Sequence, residues 1–263
     1  MVGHALVMIR AVLLDLAGVV YDGDTPIPGA VAAIGRLRAE GLPIRFVSNT
    51  TRSPHRAIVA QLASLGVSVE RDELFTPARA AVDWLAREGC VPHLLVHPDL
   101  VPEFAGNKVG DRRAVVVGDA AEAFTYAAMN GAFRQLIDGA EFLALALNRT
   151  FEDADGGLSL DAGAFVAALE FAAGKQATVL GKPARDFFHA ALAGLQCAPG
   201  QAVMVGDDAE SDVAGALRAG IGSALLVRTG KYRAGDESRH APHPSAAVDD
   251  LAAAVDWILR KRG

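Results

Sequence analysis

Four short apolar runs in this chain end on residues that can do chemistry. Ala11 to Leu14 leads into Asp15, Ile44 to Val47 into Ser48-Asn49-Thr50-Thr51, Ala177 to Leu180 into Gly181-Lys182-Pro183, and Ala202 to Val205 into Gly206-Asp207-Asp208. Each is ordinary by itself, because aspartate, serine, asparagine and glycine are common turn formers. Together they supply what phosphoryl transfer requires. One carboxylate can be a nucleophile and a second can hold a hard divalent cation, hydroxyl and amide groups can bond phosphate oxygens, and a fixed ammonium can offset their charge. Lysine is scarce here, at 108, 175, 182, 231 and 261 only. Lys182, between a glycine and a proline after an apolar run, therefore stands out. Asp212, five residues beyond Asp207, reads equally as a first-turn aspartate facing a helix dipole or as a partner of the site. The seven histidines, His4, His55, His93, His97, His189, His240 and His243, have no ligand spacing.

Elements must place these tips side by side. Short β-branched runs alternate with amphipathic stretches, the pattern of an α/β protein whose parallel sheet is covered by helices. Pro28 to Glu40 reads as a helix. Ser53-Pro54 opens a second, with Ile58, Leu62 and Leu65 on one face, and Thr76-Pro77 opens a third that Gly89 closes. Leu94 to Val96, Ala114 to Val117 and Phe142 to Leu147 read as strands, with helices at Glu122 to Ile137 and Ala162 to Ala173, which makes a second βα block. Ser223 to Val227 is a late strand, Asp212 to Ala219 a helix, and Ala246 to Arg260 a final helix after a polar loop.

The composition limits the function classes. With 51% hydrophobic and 21% charged residues, 263 residues can bury one large core, or a core plus a smaller second domain. A net charge of -6 offers no basic surface for a nucleic acid. The apolar stretch Leu6 to Val20 is broken by Arg10 and Asp15, and the uncharged run near Gly194 by Pro199 and Gly200, so no membrane span is expected. Cys90 and Cys197 are the only cysteines, which fits a reducing cytoplasm and two buried thiols.

In the order and spacing of Asp15, Ser48, Lys182 and Gly206-Asp207-Asp208, the chain resembles the haloacid dehalogenase (HAD) superfamily of aspartate-nucleophile phosphohydrolases. Gly18-Val19-Val20-Tyr21, Ile27-Pro28-Gly29-Ala30 and Val47-Ser48-Asn49-Thr50 narrow the resemblance to subfamily IIA, and within it to phospholysine, phosphohistidine and inorganic-pyrophosphate phosphatases and their hydrolase-domain relatives. It implies a Rossmann-like doubly wound parallel sheet, residues 1–82 and 176–263, with an α/β cap domain, residues 83–175, inserted between the second and third motifs. It also implies Mg²⁺ as cofactor and a small phosphorylated substrate, and it allows a homodimer through the cap. Carried over by residue, Asp15 attacks phosphorus and holds Mg²⁺, with Asp207 and the backbone carbonyl of Ala17 as further ligands. Lys182 pairs with the nucleophile and the phosphate, Ser48 and Asn49 bond the phosphoryl group, and Asp212 and Asp208 support the metal shell.

Ala17 departs from the resemblance. Many members place there an aspartate that protonates the leaving group, worth roughly 10²- to 10⁴-fold, and a methyl group cannot. Substrates that leave well unaided are then expected: pyrophosphate, phosphoramidates, and aryl or acyl phosphates. Two other readings follow from the same residues. One is a phosphonatase-like P–C hydrolase using a cap lysine, Lys108 or Lys175. The other is a protein that binds phosphate and Mg²⁺ without turnover.

Overall fold

In the computed structural model, residues 8–107, 109–152 and 156–262 are described; His4, Leu6 and Lys108 lie outside them. The chain divides into two compact units. The first comprises Met1–Ser48, Val59–Phe75 and Lys182–Gly263, and the second Asn49–Ile58 and Thr76–Gly181.

A six-stranded, all-parallel sheet organises the first unit, with spatial order Ala246–Val248, Ser223–Val227, Ala202–Gly206, Ala11–Asp15, Ile44–Val47, Leu74–Phe75. Read by position along the chain, the order runs outward in both directions from Ala11–Asp15. The reversal falls between Ala11–Asp15 and Ala202–Gly206, whose register pairs Leu14 with Val205. In open parallel sheets such a switch point leaves a crevice at the C-terminal strand ends, because successive connections leave on opposite faces. Asp15 and Asp207 sit at the two ends that border it.

The central strands are buried on both faces, which is why they read as continuous apolar runs. Leu13, Leu14, Phe46, Phe187 and Phe188 are among the largest fully buried side chains, and Phe75, Phe187 and Phe188 meet as tilted and edge-on ring pairs.

The second unit has its own parallel sheet, in the order Thr178–Val179, Glu141–Ala144, Arg112–Val117, Cys90–Leu95. Helices Tyr126–Ile137 and Ala162–Ala173 pack against it through Ala132, Leu136, Val166 and Leu169. Local chemistry sets the helix ends. Thr76 Oγ1 accepts from Arg79 N, Pro77 occupies the first turn, and Gly89 closes helix Pro77–Glu88 at φ 63°.

Several elements differ from the sequence reading. Ala246–Val248 is a strand paired with Leu225–Val227 and not the start of the last helix, which runs Leu251–Arg262. Asp250 accepts from Ala253 N and begins that helix there. The helix expected from Asp212 is a π-helical segment, Ala209–Ala214, followed by α-helix Gly215–Arg218. The strand expected from Leu94 begins at Cys90, and edge strand Leu74–Phe75 was too short to carry a pattern. Cys197 is half-buried in a loop, and Cys90 is buried; both are free thiols. Among the described residues no helix is long and apolar enough to cross a membrane.

Phe46→Ala should lower the stability of the first unit by about 3–5 kcal/mol, measured by urea denaturation followed through that unit. An unchanged midpoint would show that the site collapses around the lost ring.

Candidate active site

Asp15 ends its strand, 8% exposed, and its Oδ1 accepts from Lys182 Nζ at 2.7 Å. The same ammonium lies 2.7 Å from Asp212 Oδ1. Carboxylate oxygens of Asp15, Asp207 and Asp212 come within 4.8 Å of one another. The structure therefore gathers four of the predicted residues into one buried cluster. Burial alone would lower the pKa of Lys182, but Asp15 and Asp212 together outweigh it and hold the ammonium above its ordinary range.

Asp212 reaches the cluster because Gly206 has no side chain. A Cβ at Gly206 would stand 2.3 Å from Asp212 Cβ and Oδ2. Asp212 Oδ2 also accepts from Asp208 N at 3.2 Å. Its position on a π-helical turn fits the tendency of such turns to occur at functional sites. Burial raises its pKa, against the pull of Lys182.

Asp208 points elsewhere. Its Oδ1 accepts from Glu210 N and Ser211 N, capping the π-helical segment, and its Oδ2 lies 3.7 Å from Lys231 Nζ. Burial pushes its pKa up, but these donors and Lys231 outweigh that and bring it below the ordinary value.

Asp207 is 2% exposed, and its two oxygens differ. Oδ2 accepts from Lys231 N at 2.7 Å, whereas Oδ1 is buried with no hydrogen-bond partner. Burial pushes the pKa up to about 6, helped by the Asp15 charge and opposed by the Lys231 N–H. A buried acceptor left unpaired is costly unless something else occupies it. The cluster holds three carboxylates against one ammonium. Hard oxygen donors with excess negative charge are the donor set of a divalent cation such as Mg²⁺. The residues present fit that cofactor. A polar cavity of about 160 Å³ opens beside them, lined by Asp207, Asp208, Glu210, Lys231, Asp236 and Arg239 among others.

The remaining predicted residues are less concentrated. Ser48 is buried at the tip of Ile44–Val47, and its N–H donates to Phe75 O. Asn49 belongs to the second unit, where its Oδ1 lies against Gly181. Ala17 is exposed in the turn after Asp15. Lys175 donates to Ala140 O at 2.6 Å and pairs with Glu141, which leaves it poorly placed as a free amine.

The sequence reading gave no weight to Thr229-Gly230-Lys231, which follows strand Ser223–Val227 and meets Asp207. The strand-end rule that singled out the other four segments applies to this one too. Tyr21, which the sequence marks only as part of Gly18-Val19-Val20-Tyr21, has its phenol pKa raised by burial and then by the Asp15 charge.

A family model described as haloacid dehalogenase-like hydrolase matches residues 12–129, and a HAD-hydrolase-like model matches residues 179–254. The chain is 43% identical over 261 residues to the phospholysine phosphohistidine inorganic pyrophosphate phosphatase of Danio rerio, covering 97% of this chain and 96% of that protein. The chain belongs to the haloacid dehalogenase-like hydrolases. Among solved structures, a 4-nitrophenylphosphatase from Thermotoga maritima is similar with TM-score 0.85 and 25% identity, over 97% of this chain and 99% of that one. A glycerol phosphate phosphatase from Mycobacterium tuberculosis in complex with magnesium is similar with TM-score 0.81 and 28% identity, over 94% and 76%. The α/β fold is that of HAD phosphatases, a Rossmann-like core with a cap domain, and the protein is a hydrolase of phosphatase type.

The raised pKa of Asp207 gives a signed expectation. Its unfolded value is about 3.9, so between there and about 6 the fold keeps a proton that the unfolded chain has lost. This preference is complete below the unfolded pKa and gone above the folded one, so the metal-free protein loses stability as pH rises through the window. Asp207→Asn, uncharged throughout, should flatten that loss: without divalent cations its Tm should gain on the parent's between about pH 4.5 and about pH 7.5. Parallel profiles would refute a buried, proton-holding Asp207.

Proposed function

We propose that this HAD phosphatase is Mg²⁺-dependent and works through an aspartyl-phosphate on Asp15. The observation that carries the reading is the buried cluster of Asp15, Asp207 and Asp212, in which Lys182 holds Asp15 Oδ1 while Asp207 keeps one oxygen, Oδ1, without a partner. Asp15, Asp207 and the backbone carbonyl of Ala17 would hold the cation. When bound, it would supply positive charge to the phosphoryl oxygens as the transferring group moves.

The chain's own residues account for the rest. Lys182 anchors one oxygen of Asp15, which fixes the plane of the carboxylate, and it offers the substrate a permanent positive charge. Asp15 attacks phosphorus, the bond to the leaving group breaks, and the leaving group departs with the electron pair. Water then attacks phosphorus, inorganic phosphate leaves, and the Asp15 carboxylate is restored. Ser48 and Asn49 bond the transferring group. Asp212 keeps Lys182 charged and positioned from its other side. Asp208 contributes through its backbone, whose N–H orients Asp212 Oδ2. The insertion at residues 83–175 acts as a cap whose loops set specificity.

Ala17 narrows the substrate. Its methyl group cannot protonate a departing alkoxide, so leaving groups that need no help are favoured: phosphate from pyrophosphate, amines protonated before P–N cleavage, and aryl or acyl oxygens. The Danio rerio relative is named for phospholysine, phosphohistidine and pyrophosphate, which supports the same class here. A cytoplasmic setting belongs to the proposal and rests on the two free cysteines. Among the described residues nothing favours a P–C hydrolase: Lys175 is engaged, and Lys108 lies outside them.

Purified protein with Mg²⁺ should release phosphate from para-nitrophenyl phosphate, pyrophosphate and phosphoramidate. Release from none of them would overturn the enzyme reading in favour of a binding protein. Asp15→Asn should reduce kcat by roughly 10³-fold or more, and unchanged turnover would remove the nucleophile. Ala17→Asp should raise kcat/KM for alkyl phosphates by up to roughly 10²- to 10⁴-fold, whereas no gain would mean that another group already supplies the proton.

A further inference from the structure

We infer that Thr229, Gly230 and Lys231 form a clasp whose task is to hold Asp207 in the orientation that accepts a cation. The inference rests on Asp207 being a metal ligand. The carboxylate is wedged between two glycines at positive φ, Gly18 at 78° and Gly230 at 61°. A Cβ would stand 2.0 Å from Asp207 Oδ2 at the first and 2.1 Å from it at the second, and one on Gly230 would also meet Gly18 Cα at 2.5 Å. Neither position can carry a side chain without moving the carboxylate. Thr229 Oγ1 donates to Gly18 O and ties the two glycine turns together. Lys231 N then donates to Asp207 Oδ2 at 2.7 Å.

The result is asymmetric. The clasp engages one oxygen of Asp207 and leaves the other buried and without a partner, in a carboxylate that comes within 4.8 Å of those of Asp15 and Asp212. It does so with backbone groups. The Lys231 ammonium is exposed and pairs with Asp208 at 3.7 Å, so the hydrogen bond that the lysine makes to Asp207 comes from its backbone N–H. Groups that orient a ligand without touching the metal typically change metal affinity about tenfold to a hundredfold when they are lost. Thr229 and Lys231 are positioning residues in this sense.

Thr229→Val removes the hydroxyl at nearly constant volume, and Thr229→Ser restores it. The Mg²⁺ dissociation constant, measured by calorimetry, should weaken by about tenfold or more in Thr229→Val and return to within about threefold in Thr229→Ser. The Tm in the presence of EDTA should match the parent's in both. Gly230→Ala, which intrudes on Asp207 directly, should weaken binding further; if it fails to fold, the Thr229 pair decides the question. An unchanged dissociation constant in Thr229→Val would overturn the clasp. So would a loss of affinity matched by a loss of metal-free Tm, since that describes a merely structural contact. Absence of Mg²⁺ binding by the parent would overturn the metal-ligand reading of Asp207, and the clasp with it.

Discussion

The ammonium of Lys182, buried and shared between Asp15 and Asp212, is the interaction on which the arrangement at the strand ends depends. Removing a charge from water is expensive unless partners replace the lost solvation. Two carboxylates at 2.7 Å do so for Lys182. The converse does not hold. One ammonium cannot neutralise three neighbouring carboxylates; burial, helped by that excess of negative charge, raises the pKa of Asp207 and Asp212, and one oxygen of Asp207 is left unpaired. The cluster is thus under-compensated in a way that a divalent cation would correct.

Sheet topology creates the cluster, and small residues permit its density. Strands Ala11–Asp15 and Ala202–Gly206 are neighbours in space although far apart in sequence. The switch of direction between them opens the crevice that their terminal aspartates share. Gly206 admits Asp212, and Gly18 and Gly230 admit Asp207, each at a distance where a methyl group would collide. These glycines belong to the site as much as the charged residues do, because they set how closely carboxylates can crowd.

Ala17 has two separable consequences. A backbone carbonyl at that position survives any side chain, so a metal-binding role costs nothing, while proton donation is lost with the side chain. On this reading the identity of one exposed residue shifts the chemistry toward substrates whose leaving groups need no proton from the enzyme, without disturbing the buried cluster. Under the proposed mechanism, specificity would rest on leaving-group chemistry as much as on shape.

What the sequence determined by itself was local. Apolar runs marked the inner strands, Thr76-Pro77 and Gly89 marked both ends of a helix, and Asp15, Lys182 and Asp207 stood out because each closes such a run. Backbone propensity and capping act over a few residues, so a linear reading can find them. Only the tertiary structure decided which tips meet. Lys182 and Asp15 are 167 positions apart, and no local pattern shows that Asp212 completes their pair while Asp208 caps a helix. Ala246–Val248 became a strand because a neighbour, Leu225–Val227, was there to pair with it. The strand-end rule reaches Thr229–Lys231 as well, but it cannot show the contact itself: a backbone N–H and a missing Cβ acquire meaning only when Asp207 is packed against them.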